Sequence, residues 1–154
     1  MKLFVRLLIL VTFGAGLIWI FLWMTGTPKT LAHMEQRVIS VDSATFAVVV
    51  AKTGDEQEKG LGGIDSMPAN FGMLFTFDHN AKWGIWMKDM HFPIDIIWIR
   101  GDGTIDTIKE NVDPSTYPNV FTPVGYVPYV LELPALSARK YGLSVGEKFS
   151  LGQK

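Results

Sequence analysis

The run from Ile94 to Ile99 constrains the fold of this chain more than any other segment. Its sequence, IDIIWI, directly follows Pro93, and proline excludes a helix interior there. Isoleucine and tryptophan favour extended structure, and apolar side chains stand on both faces of the run. We therefore predict a central strand that is covered on both sides. Asp95 would then be a buried or half-buried carboxylate.

Other runs rich in β-branched residues predict more strands of a sheet. They cover residues 38–41, 45–51, 73–77, 104–109, 129–133 and 146–151. Thr53 and Glu56 have the spacing of a capping box, which predicts a short helix that ends at Gly60. A second short helix is predicted from Pro134 to Tyr141.

A run without charged residues begins at Leu7 and ends at Met24. As a helix with a rise of about 1.5 Å per residue it would be roughly 27 Å long, close to the ~30 Å thickness of the hydrocarbon layer. A cleaved signal peptide usually has a shorter apolar region and a small-x-small site, and no good site follows here. We predict one N-terminal transmembrane helix, an uncleaved signal anchor, within residues 1–25. Secretion after signal cleavage is the alternative.

The charges around this run predict its orientation. Lys2 and Arg6 precede it, and positive residues beside a first membrane segment tend to stay cytoplasmic. The soluble part would then lie on the periplasmic or extracellular face, as a linker over residues 26–37 and a domain over residues 38–154. The net charge of -1 shows no basic footprint, so we expect no nucleic acid among the partners.

Several ordered blocks of sequence carry a family resemblance. They are residues 53–61 (TGDEQEKGL), 72–75 (GMLF), 86–88 (WMK), 93–99 (PIDIIWI), 108–111 (IKEN), 130–135 (VLELPA) and 142–147 (GLSVGE). With them the chain resembles domain-of-unknown-function family 192, whose bacterial and archaeal members often carry an export or anchor segment. Gly62, Gly63 and Leu136 depart from the family's usual residues. The resemblance implies a mostly β domain with short helices (α+β), a compact β barrel or sandwich, and no established activity.

Four residues are candidates for a shallow ligand-binding site: Trp86, Lys88, Asp95 and Glu132. Lys88 lies in a segment rich in Trp and Met, where a charged side chain either reaches solvent or pairs with a carboxylate. Asp95 and Glu132 lie in predicted strands and are its candidate partners. The structural alternatives are that the aromatic and Met residues form core and that the carboxylates fix strand register.

The sequence carries no decisive sign of a reaction, and its catalytic residues are unknown. We expect no cofactor and no metal site, since no cofactor-binding loop is present and His91 and Asp95 would be about 13 Å apart in an extended segment. The preferred hypothesis is a membrane-anchored accessory module of the cell envelope that binds a glycan or a protein. One alternative is a small hydrolase that cleaves envelope polysaccharide through paired Asp95 and Glu132. The other is a structural partner of another membrane protein.

Overall fold

Six strands form one sheet in the computed structural model, which describes residues 28–41 and 44–150. The strands are β1 (Glu35–Val41), β2 (Ala44–Ala51), β3 (Phe71–Ala81), β4 (Ile94–Ile99), β5 (Ile105–Val112) and β6 (Val127–Pro134). The helices are α1 (Gly54–Lys59) and α2 (Ser137–Tyr141), with short 3-10 turns at Lys29–Leu31 and Pro114–Thr116. The predicted mostly β fold with short helices is confirmed.

The sheet is open and has the strand order β1-β2-β3-β6-β4-β5. Only β2 and β3 pair in parallel, because α1 and the loop after it return the chain to the same end of the sheet. The last strand, β6, inserts between β3 and β4. The predicted compact β barrel or sandwich is therefore wrong, since the strands form one sheet and no ladder joins β1 to β5 within the described residues.

The predicted final strand over residues 146–151 is also wrong. This segment makes two isolated bridges, from Ser150 to Ser40 and from Lys148 to Thr104, so it touches both edges of the sheet without extending either. Gly146 has φ +97°, a left-handed conformation that interrupts an extended run. Position 151 lies outside the described residues.

Two apolar clusters cover the two faces of the sheet. The first face, here called the loop face, is covered by loop residues such as Leu61, Ile85 and Met87. The second, the helix face, is covered by Ala138 of α2 and by Leu143 and Phe149. All six residues of β4 are buried, which confirms the predicted central strand with both faces covered.

The folded part begins before the predicted boundary at residue 38. Leu31 and Met34 are buried in the cluster of the loop face, and β1 begins at Glu35. Residues 28–37 are thus not a free linker. The part of the chain that the structure describes contains no helix long and apolar enough to cross a membrane. The predicted anchor, residues 7–24, lies outside it.

The predicted capping box and the predicted ends of the two helices at Gly60 and Tyr141 are confirmed. The predicted start at Pro134 is wrong, because Pro134 is the last residue of β6 and α2 begins at Ser137. The Thr53 side chain accepts a hydrogen bond from the Glu56 backbone N–H, and the Glu56 carboxylate accepts one from the Thr53 N–H. This capping box satisfies backbone groups at the start of α1, a helix with no buried residue of its own. Gly142 caps α2 in the left-handed conformation, with φ +70°.

Candidate functional site

Glu132 lies on β6, opposite Met73 of β3 and Ile96 of β4. Side chains alternate along a strand, and Leu131 and Leu133 pack on the helix face, so the Glu132 side chain points to the loop face. Gly72 lets the two strands approach closely here, because a Cβ at that position would lie 2.6 Å from the Glu132 carbonyl oxygen. The sheet thus fixes this carboxyl within an apolar surrounding.

One oxygen of the buried Glu132 carboxyl has no compensating interaction within the described residues. The residue is 4% exposed, and its Oε2 atom has no hydrogen-bond partner in the described part of the chain. Burial raises the pKa of Glu132 to about 8, because the apolar surrounding disfavours the charged form. At neutral pH the group is therefore mainly a carboxylic acid, which can both donate and accept a hydrogen bond.

A small cavity of about 40 Å³ adjoins this carboxyl. Its walls come from the end of α1 and the loop after it (residues 58–62) and from the segment of residues 84–90. The volume is enough for a few water molecules or one small polar group, and too small for a whole sugar ring. An unpaired polar group on the wall of such a cavity can form a hydrogen bond with a polar atom of a ligand.

The segment of residues 84–90 alternates between core and surface. Ile85, Met87 and Met90 are buried, whereas Trp86 is 42% exposed and Lys88 is half-buried. Two sets of backbone hydrogen bonds hold the segment in place. Ile85 forms a two-way bridge with Phe121, and the Gly63 N–H donates to the Asp89 carbonyl at 2.8 Å. Trp86 and Lys88 are therefore directed outward from a fixed backbone.

Charged and aromatic groups surround the mouth of the cavity. The Lys88 ammonium lies 4.0 Å from a Glu58 carboxylate oxygen and 5.7 Å from the centre of the Trp86 ring. Trp86 also contacts Tyr117 edge to face, at 6.2 Å between ring centres. Lys88 forms no ion pair with Glu132 or Asp95 in the described residues, so its predicted partners are wrong and Glu58 takes their place.

Asp95 has a different role from the one predicted. Its carboxylate lies toward the helix face and accepts hydrogen bonds from the backbone N–H groups of Asn111 (2.7 Å), Leu136 (3.0 Å) and Ala138 (2.7 Å). Asn111 and Leu136 have positive φ, so the carboxylate stabilises two sharp turns. This geometry supports a structural role for Asp95, rather than a role in ligand binding.

The paired-carboxylate hypothesis fails on the same observation. Asp95 and Glu132 belong to neighbouring strands but project to opposite faces of the sheet, so no single bond can lie between them. Trp86, Lys88 and Glu132 do come together around one cavity, without Asp95. We also find no cluster of three metal-ligating side chains among residues 28–41 and 44–150.

The sequence interpretation missed the contribution of α1 to this site. Glu58, Lys59 and the residues from Gly60 to Gly62 form one wall of the cavity. The signal was present in the block TGDEQEKGL, where a capped helix without apolar side chains is followed by glycine and leucine. Two contacts position α1: the Gln57 side-chain amide donates to the Thr76 carbonyl of β3 at 3.0 Å, and Leu61, just after the helix, is buried in the core.

Comparison with known proteins gives a family and a fold. The model of the family DUF192 (Uncharacterized ACR) matches residues 37–151. A putative transcription regulator from Sinorhizobium meliloti 1021 is 30% identical, with a TM-score of 0.72 over 76% of this chain and 94% of that one. A protein of unknown function from Novosphingobium aromaticivorans DSM 12444 is 24% identical, with a TM-score of 0.74 over 78% of this chain and 88% of that one. The comparison with curated proteins gives no significant match.

Proposed function

From the premise that this chain belongs to the DUF192 family, a family of unknown function, we propose that it is a binding module of the cell envelope. Its ligand is an envelope glycan that inserts one neutral polar group into the cavity beside Glu132. The observation that carries the proposal is the buried Oε2 of Glu132, which adjoins a cavity and has no partner in the described residues. A ligand hydroxyl or acetamido group would supply that partner.

The mouth of the cavity supports a saccharide rather than an ion. The Trp86 ring is exposed beside the opening and offers a flat apolar surface for the C–H face of a sugar. Lys88 and Glu58 lie on the rim, where they can donate to and accept from ring hydroxyls. An acid whose pKa is raised to about 8 is mainly uncharged at neutral pH and is a poor ligand for a metal cation.

Membrane anchoring and an extracytoplasmic location complete the proposal, and the sequence of residues 1–25 supports both. Nucleic acid is not the proposed ligand, although the name of the Sinorhizobium relative suggests one. The chain has a net charge of -1, and charged residues of both signs surround the cavity.

The test is a titration of the full chain in lipid nanodiscs, with isotope-labelled tryptophan indoles, against soluble peptidoglycan fragments and envelope sugars. We expect the Trp86 indole signal to shift saturably. The Trp98 signal should not move, because its indole N–H is buried and donates to the Trp83 carbonyl at 2.8 Å. If the Trp86 indole signal does not shift with any fragment, the result would contradict a glycan ligand and favour a protein partner.

Two substitutions of Glu132 sharpen this test. Glu132→Met removes the hydrogen-bonding group at similar length and should weaken binding about tenfold or more. Glu132→Gln keeps a donor and an acceptor and should bind within a fewfold of the unaltered chain. Glu110→Gln, at an exposed carboxylate 3.4 Å from Arg139, is the control that should change nothing. If Gln lost as much affinity as Met, binding through the neutral acid form of Glu132 would be wrong.

A further inference from the structure

The tether between the predicted anchor and the folded domain is very short. The apolar run ends at Met24, the described residues begin at Pro28, and Leu31 is buried in the core three residues later. The four Cα–Cα steps from Met24 to Pro28 span at most about 14 Å. The polar layer on one side of a bilayer is about 5–8 Å thick. With the predicted anchor in a bilayer, the surface near Pro28 would therefore lie at or beside the headgroup layer.

The cavity beside Glu132 opens close to this point. Pro28 and Thr30 line a surface depression together with Gly63 and Ile64. A second depression runs from Thr30 to Gly60 and Gly62, and the same two glycines line the Glu132 cavity. The loop of residues 60–63 thus borders both the depressions beside Pro28 and Thr30 and the candidate binding site.

Exposed aromatic and apolar side chains lie on the other side of the opening. Trp86 is 42% exposed, Tyr117 47% and Val120 56%. Trp86 and Tyr117 contact each other, and Val120 packs beside Gly84, so the three extend from the rim of the cavity. Tryptophan and tyrosine favour the membrane interface, where one part of the side chain is apolar and the other is wet.

We infer that the domain rests against the outer leaflet with the Glu132 cavity facing the headgroup layer, so that its ligand is the saccharide part of a membrane lipid. This inference rests on the proposed function and on the predicted anchor. Lys59 and Lys88 near the opening are accompanied by Asp55 and Glu58. Because the charges are mixed, the short tether and the aromatic rim hold the surface at the membrane, rather than attraction to anionic lipid.

The first test measures the orientation of the full chain in nanodiscs that contain a lipid with a gadolinium-chelating headgroup. We expect strong paramagnetic broadening of the signals of Gly63 and Trp86. Val145 should be broadened least, since it is exposed near Leu143, which packs on the helix face. Equal broadening of all three, greater broadening of Val145, or failure of the chain to enter the nanodisc would overturn the inference.

The second test lengthens the tether. A Gly/Ser segment of ~20 residues inserted between Thr27 and Pro28 adds roughly 25 Å of reach. We expect affinity for a lipid-linked saccharide in the nanodisc to fall about tenfold or more, because the effective concentration at the surface drops. Affinity for the soluble fragment should not change. Unchanged affinity for the lipid-linked saccharide would overturn the membrane-facing orientation.

The two failures are distinguishable. If no soluble fragment binds the unaltered chain, the proposed function fails and the inference fails with it. If the soluble fragment binds but the broadening pattern or the tether effect does not appear, only the membrane-facing orientation fails.

Discussion

At the scale of single residues, two carboxyl groups on adjacent strands show how surroundings decide role. Asp95 accepts three backbone hydrogen bonds and supports turns, whereas Glu132 has a buried oxygen next to a cavity that finds no partner among residues 28–41 and 44–150. An unsatisfied buried polar group costs roughly 1–3 kcal/mol, which the fold carries without a visible structural gain. Such a cost is typical of functional sites, where stability is lower than it could be.

The first prediction concerns the pH dependence of stability. Burial raises the pKa of Glu132 from 4.5 to about 8, so between these values the folded chain retains a proton that the unfolded chain has lost. The free energy of unfolding should therefore fall as pH rises through this window, by about 1.4 kcal/mol per pH unit at most. Glu132→Gln cannot titrate and should lack this component.

Denaturant unfolding of both chains from about pH 5 to about pH 8 measures the difference. Glu132→Gln should gain stability relative to the unaltered chain as pH rises across the window. Parallel curves would show that Glu132 has an ordinary pKa and is not desolvated in the folded protein.

At the scale of elements, the cavity depends on how closely α1 approaches the segment of residues 84–90. Gly62 lies at the contact, where a Cβ would be 3.0 Å from the Lys59 carbonyl oxygen and 3.1 Å from that of Lys88. Both neighbours are backbone atoms, which cannot move aside as a side-chain end can. The absence of a side chain at this position therefore sets the width of the cavity.

Gly62→Ala should push the end of α1 away from Lys88. We expect a loss of about 1–3 kcal/mol in the free energy of unfolding and weaker glycan binding, because the two walls separate. Gly54→Ala is the matched control, since a Cβ there meets nothing within 4 Å. Its stability should stay level or rise slightly, because alanine favours helix. Binding by Gly62→Ala equal to that of Gly54→Ala would show that this contact does not shape the site.

At the scale of the whole molecule, local patterns predicted the elements and long-range pairing decided the rest. The buried strand β4 and the capped helix α1 were predictable, because their signals lie within a few residues. The insertion of β6 between β3 and β4 was not, since pairing of distant strands leaves no local pattern. Leu31 and Met34 were missed as core because a single 3-10 turn has no periodicity.

The candidate site shows the same division. Alternation along β4 and β6 fixes which residues share a face within each strand, but the relative register of the strands decides that Asp95 and Glu132 face apart. Trp86 and Lys88 were identified from composition, and their nearness to Glu132 depends on the loops that cover the sheet. Nothing in the sequence indicates that the Glu132 oxygen finds no partner in the part of the chain that the structure describes.

The most direct measurement is the titration of the Glu132 carboxyl itself in the full chain, by NMR of labelled glutamate side-chain carbons, with Glu132→Gln to assign the signal. We expect one carboxyl signal that titrates near pH 8, is missing in Glu132→Gln and shifts when the glycan fragment binds. A Glu132 signal that titrates near the ordinary value of 4.5 and does not shift with any fragment would contradict the central claim, that Glu132 is a desolvated carboxyl that binds the glycan.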